Sequence, residues 1–209
     1  MERSTTVKEA RELFGKNFIG KEELSVISDK VGIQIPVTEP VIPYDITELS
    51  LKKTEYLLVL GTAQWKTGDT VTLFTLRSNF GIDPDKKEPC FYNQDWYMHE
   101  AFMHTPLENK WYLIKKSVFE NSRAQSADLL AQEYHFPAAI VCAYIFFINY
   151  FSTGEYLWKH DFIWCSDLDH NGDRIYVAKY FDVNGINKNG FSIHRHLRIR
   201  EHYGAVEVI

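Results

Sequence analysis

The spacing of apolar and polar positions changes rhythm along the chain. Residues 6–14 read as a short amphipathic helix, with Thr5 or Thr6 as its cap and Gly15 as its stop. Residues 21–31 read as a second helix closed by Gly32. Residues 35–44 carry Pro36, Pro40 and Pro43. Each proline fixes φ and removes a donor, so an extended connector is predicted. The unbroken apolar run Tyr56-Leu-Leu-Val-Leu60, bounded by Gly61, has the length of a buried strand. A turn at 64–69, a helix at 73–80 ended by Gly81, and a charged proline-containing loop at 83–89 follow. Trp96, His99 and Met103 stand at helical spacing, residues 110–115 read as a strand, and a helix begins at 122–126. Pro137 then opens a long apolar helix reaching about residue 151, with Gly154 beyond it.

After Gly154 the rhythm is that of short strands, at 162–165, 174–181, 191–199 and 205–209. Turn-rich stretches at 167–173 and 184–190 separate them. Helices and strands followed by a run of short antiparallel strands predict an α+β fold. The predicted division is a helical lead-in with its connector over 1–45 and a main domain over 46–209.

Composition narrows the function classes. Hydrophobic residues are 45% and charged residues 24% of the 209, an ordinary globular balance. Aromatics reach 15%, which favours sheet packing and adhesive surfaces. The net charge of −5 argues against general nucleic-acid binding. Cys90, Cys142 and Cys165 are widely spaced and odd in number. That is the pattern of free thiols in a reducing compartment, not of a disulfide framework or zinc module. The polar N-terminus lacks the apolar core of a secretory signal. The longest apolar stretch, at about 16 residues, falls short of the ~20 a bilayer span needs. A cytoplasmic protein is expected.

Two segments carry candidate chemistry. Asp167-Leu-Asp-His-Asn-Gly-Asp173 has the D-x-D-x-N-G-D spacing that opens a calcium loop. Asp167, Asp169, Asn171 and Asp173 are its candidate cation ligands. The position of a closing bidentate Glu is Ala178, however, and the flanks read as strands. A hairpin turn built from the same turn-forming residues is the competing reading. The second segment is Ser192-Ile-His-Arg-His-Leu-Arg-Ile-Arg-Glu-His202. In an extended chain His194, His196, Arg198, Arg200 and His202 share one face, opposite Ile193, Leu197 and Ile199, with Arg195 as the exception. Three uses stay open for that stripe: a solvated sheet face, an anionic or polar ligand site served by forked arginine donors, or a transition-metal site at His194 and His196.

No nucleophile-elbow, phosphate-loop, dinucleotide or zinc-protease motif occurs. Cys142 lies within the apolar helix as packing. Cys165, beside Trp164 at a strand end, is the best nucleophile candidate, and no cofactor other than Ca²⁺ is suggested.

A family resemblance enters through spaced residues over about 95–209. Trp164-Cys-Ser-Asp167, Gly172-Asp-Arg-Ile-Tyr-Val177, Phe181-Asp-Val-Asn-Gly-Ile186 and Tyr203-Gly-Ala-Val206 resemble the C-terminal region of variable proteins, the targets of diversity-generating retroelements. The strand at 110–115, Phe136-Pro-Ala-Ala with its helix, and Thr153-Gly-Glu-Tyr-Leu157 fit the same pattern. The resemblance implies a C-type-lectin-like domain of the formylglycine-generating-enzyme branch, with a variable region at about 164–206. It implies a binding scaffold whose adenine-containing codons are rewritten to recognise varied protein or other macromolecular partners. Carried over by position, the variable candidates are Asp173, Tyr176, Lys179, Asn184, Asn187, Asn189, His194, His196, Arg198 and His202, with Trp164, Ile175, Val177, Leu197 and Ile199 as packing. The lectin sugar-binding Glu-Pro-Asn is absent, since Glu88-Pro89 is followed by Cys90. The C-terminal cysteine pair of the active oxidase is absent too. Enzymatic activity through Cys165, or binding of one fixed phage or host partner, are the alternatives.

Overall fold

A computed structural model describes residues 5–180, 190–196 and 198–209. Among them are six α-helices and two mixed sheets, one of three strands and one of four.

The first half is assembled around a short sheet. Helix α1 (Val7–Phe14) is capped by Thr6, whose side chain accepts from the Glu9 N–H. Strand β1 (Phe18–Ile19) runs parallel to β2 (Tyr56–Leu60), which pairs antiparallel with β3 (Trp111–Lys115). All five residues of β2 are buried, as an uninterrupted apolar strand requires. Helix α2 (Lys21–Val31) ends at Gly32, whose φ of 86° suits glycine. Helix α3 (Ile46–Lys52), which the apolar spacing does not announce, is capped by Asp45 through the N–H groups of Thr47 and Glu48. Phe14, Phe18, Ile19, Leu24 and Ile27 belong to the same core as β2 and β3, so packing is continuous across the proline connector.

Helix α6 (Ala139–Thr153) is the central post. Its residues 139–149 are all buried, and it packs against α2, α4 (Leu73–Phe80) and the second sheet. Phe147 stacks on Phe80 at 4.0 Å, and Phe146 lies 5.1 Å from Phe191. This explains an apolar stretch with little helical amphipathicity: the helix has no wet side.

The second sheet has the order β6-β5-β4-β7. Its strands are β4 (Phe162–Leu168), β5 (Arg174–Tyr180), β6 (Gly190–His194) and β7 (Tyr203–Gly204). Strand β4 pairs antiparallel with β5 and parallel with β7. Ile163, Cys165, Ile175, Val177 and Ile193 face the main core. On the other face Trp164, Tyr176 and Tyr203 form a second cluster, covered by α5 (Ala127–Leu130), Tyr134 and Phe136. Both faces of this sheet are therefore buried. The C-terminal segment joins the two sheets: Val208 bridges Ile114, and the Phe119 N–H donates to Ala205 O at 2.9 Å. Gly204 is needed where the chain turns under residues 118–122, since a Cβ there would stand 2.9 Å from Val118 Cβ.

Three predicted elements differ. The closing strand predicted over 205–209 is instead the two-residue β7 at Tyr203–Gly204, with Val208 making only an isolated bridge to Ile114. Residues 95–103 contain only a 3₁₀ turn at Ala101–His104. The strand predicted over 191–199 stops at His194, because His196 adopts φ 60° and takes the chain out of the extended region. Among the described residues no helix is long and apolar enough to cross a membrane.

Candidate functional site

The segment 167–173 is the connection of a β-hairpin between β4 and β5. Asp169 organises it. Its Oδ1 accepts from the Asn171 N–H at 2.8 Å and the Asp173 N–H at 2.9 Å. Its Oδ2 ion-pairs with Arg195 Nη1, and its side chain is excluded from solvent. Burial raises the Asp169 pKa, but those N–H donors and the Arg195 guanidinium overcome it and bring it to about 2. Glu100 closes the other side. It is 5% exposed, accepts from the His170 N–H at 2.9 Å, meets His170 Nδ1 at 2.6 Å, and lies 3.5 Å from Arg195 Nη1. The Arg195 guanidinium also covers the Trp96 ring at 4.4 Å, while Trp96 Nε1 donates to Ile193 O at 3.2 Å. One arginine thus neutralises two buried carboxylates and fastens residues 96–100, the hairpin turn and the end of β6 together.

The predicted calcium ligands do not converge as a loop. Asp167 accepts from the Ala139 N–H at 2.6 Å, satisfying the start of α6, and its pKa is raised by burial. Asn171 is exposed. Two other groupings bring ligand atoms together: Glu100 with Asp169 and His170, and Asp169 with Asp173 and His196. In both, protein donors already hold the shared Asp169, with Arg195 in the position of the cation.

The candidate recognition residues divide by environment. Asp173 is half-buried and 3.2 Å from His196 Nδ1, while His196, Arg198 and His202 are exposed. Tyr176 and Lys179 correct the expectation of an outward face. Tyr176 does point away from the main core, but the second aromatic cluster buries it to 1% exposure. Lys179 has the parity of Ile175 and Val177, so it points inward and pairs with Glu88 at 2.6 Å. His194 stacks beside Tyr176 at 5.5 Å with Nε2 buried and unpartnered, and burial lowers its pKa to about 4. Because His194 is inside and His196 outside, the two do not form a metal pair. Ile199, expected as packing, is 37% exposed. Trp164, Ile175 and Val177 are buried as expected. Asn184, Asn187, Asn189 and Leu197 lie outside the described residues.

Beside the hairpin turn is a cleft of about 400 Å³. Leu168, Arg174, His196 and Ile199 line it on the sheet side and Ser126 and Asp128 on the other, above Trp164 and Tyr176. Trp164 Nε1 and Arg174 Nε are buried without hydrogen-bond partners. Each such orphaned donor costs about 1–3 kcal/mol.

No family model, curated protein or solved structure matches this chain. The reading of the site therefore rests on its own geometry. All three cysteines are buried thiols. Burial raises the Cys165 thiol well above its ordinary pKa, the opposite of an activated nucleophile. Glu100 and Arg195 are the residues that sequence reasoning missed. Glu100 lies 70 positions from its partner His170, so no local spacing could signal it.

Proposed function

We propose that this chain is a recognition protein of C-type-lectin-like architecture, displaying varied side chains from Asp173 to His202 to macromolecular partners. The observation that carries this reading is the contrast at residues 195 and 196. Arg195 is locked between Trp96, Glu100 and Asp169, whereas His196, Arg198, Arg200 and His202 stand exposed on the segment it anchors. A rigid base below replaceable side chains is what a binding surface needs, since exposed substitutions usually change stability by within about 0.5 kcal/mol. The exposed arginines offer planar, forked donors to a partner's acidic or polar groups. The buried, high-pKa thiol of Cys165 favours recognition over an oxidase chemistry at that residue.

Diversification by a retroelement would act on Asp173, His196, Arg198 and His202, with Asn184, Asn187 and Asn189 as further positions. Tyr176 and Lys179 fit poorly, because replacing either disturbs buried packing or a buried ion pair. Sequencing the locus tests this. The expected result is a near-copy of the segment encoding 173–202, differing at adenines, beside a reverse transcriptase. A locus with neither would leave a recognition surface of fixed sequence.

A further inference from the structure

We infer that the cleft between α2 and the C-terminal end of α6 binds a small amphipathic carboxylate, an acid with an apolar aliphatic or aromatic body and one anionic head. The inference goes beyond the recognition reading and does not rest on it, since no residue lining this cleft belongs to the 167–173 turn or the 195–202 segment. The cleft holds about 400 Å³, within the range of about 300–1,000 Å³ typical of small-ligand sites. Its body is apolar. Phe18, Ile19 and Ile27 form the floor, the half-buried Phe151 forms one wall, and Val26 stands at the rim, 84% exposed. Covering such a rim with hydrocarbon removes apolar surface from water.

The charges around the cleft are unevenly matched. Glu23 lines it, but its carboxylate is engaged by Arg11 Nε at 2.9 Å and by the Gly20 N–H at 2.9 Å. Lys16 lines it too, and its contact with Glu155 is long, at 3.8 Å, between side chains that are 77% and 72% exposed. A pair so solvated holds its lysine weakly. Lys30 lies one turn beyond Val26 on α2, with Nζ 4.8 Å over the Phe151 ring and no ion-pair partner among the described residues. Beside Lys16, the Lys116 ammonium is held below the usual lysine range, by burial first and then by the charge of Lys16. Lysines that repel one another next to an apolar cleft mark a local shortage of negative charge. The C-terminal end of α6 contributes only about half a negative charge, which draws the lysines to this place without balancing them. A ligand carboxylate at the lysine rim supplies the missing charge, and its hydrocarbon lies on Val26, Ile27 and Phe151.

The experiment is a calorimetric titration of the full chain at neutral pH with octanoate and phenylpropanoate, set against octanol and octylammonium. At least one carboxylate is expected to bind about tenfold more tightly than either control. Octanoate ahead of phenylpropanoate assigns the site to aliphatic acids, and the reverse order assigns it to aromatic ones. Val26→Glu, at an exposed position that leaves the fold intact, sets a carboxylate at the rim. It should weaken carboxylate binding about tenfold without weakening that of octylammonium. Lys30→Gln should weaken carboxylate binding about threefold or more. Lys86→Gln, an exposed lysine of the 83–89 loop, should leave it unchanged. Equal affinity for octanoate and octanol with no preference for phenylpropanoate, no binding of either carboxylate, or carboxylate binding that neither Val26→Glu nor Lys30→Gln weakens would overturn the inference.

Discussion

The two sheets of this molecule use buried polarity differently. In the three-stranded sheet β2 is apolar along its whole length, and the buried Lys115 of β3 reaches out to the exposed Glu55. In the four-stranded sheet buried charge is held inside. Asp169 and Glu100 share Arg195, Lys179 pairs with Glu88, and Trp164 Nε1, Arg174 Nε and His194 Nε2 have no partner. Apolar packing alone would hold a sheet at less electrostatic cost. The polar network instead fixes where the hairpin turn and the 195–202 segment sit, and that is the property a binding surface requires.

The comparison can be broken at its strongest point first. Arg195→Ala leaves two buried carboxylates facing each other without the guanidinium they share. Urea denaturation should show a loss of about 3–5 kcal/mol, and a loss below about 1 kcal/mol would mean the network is ornamental. Lys179→Ala uncovers Glu88 and the hydroxyl of Tyr156, which lies 2.8 Å from it. The expected cost is about 1–3 kcal/mol, again read from denaturation.

Acid unfolding sharpens the picture. The folded pKa of His194 is lowered by burial to about 4, below the ordinary value of 6.5. The unfolded state therefore takes up the proton first, and stability should fall as pH drops from about 6.5 to about 4. Asp169 is depressed to about 2, so its contribution is present above about pH 4 and is lost as pH falls towards 2. His194→Gln should flatten the upper limb and Asp169→Asn the lower one. A single limb unaffected by either variant would refute the assignment. The smallest effects belong to the exposed positions: Arg198→Ala and His202→Ala should each change stability by no more than about 0.5 kcal/mol.

Much of the scaffold was legible because its signals are local. α2, β2 and α4 start and end as their apolar runs and closing glycines at 32, 61 and 81 indicate. α3 was not read: Asp45 caps it, but its single buried residue Leu49 gives no periodicity to notice. The hairpin at 167–173 followed from turn chemistry, and the calcium alternative weakened once Asp167 was drawn to the start of α6. What was not legible is long-range. Nothing near Tyr176 shows that α5 and Phe136 will cover it, and nothing near Arg195 shows that Glu100 will meet it. The turn at His196 has no glycine to mark it, so alternation was extended past its true end.

The central claim is a division between an anchored base and an interchangeable surface, and a paired substitution library measures it directly. One library varies Asp173, His196, Arg198 and His202 together; the other varies Glu100, Asp169 and Arg195. Urea midpoints of purified members are the readout. The account predicts that most members of the first library fold with near-native midpoints while nearly all of the second fail to fold cooperatively. Equal losses in the two libraries would contradict it.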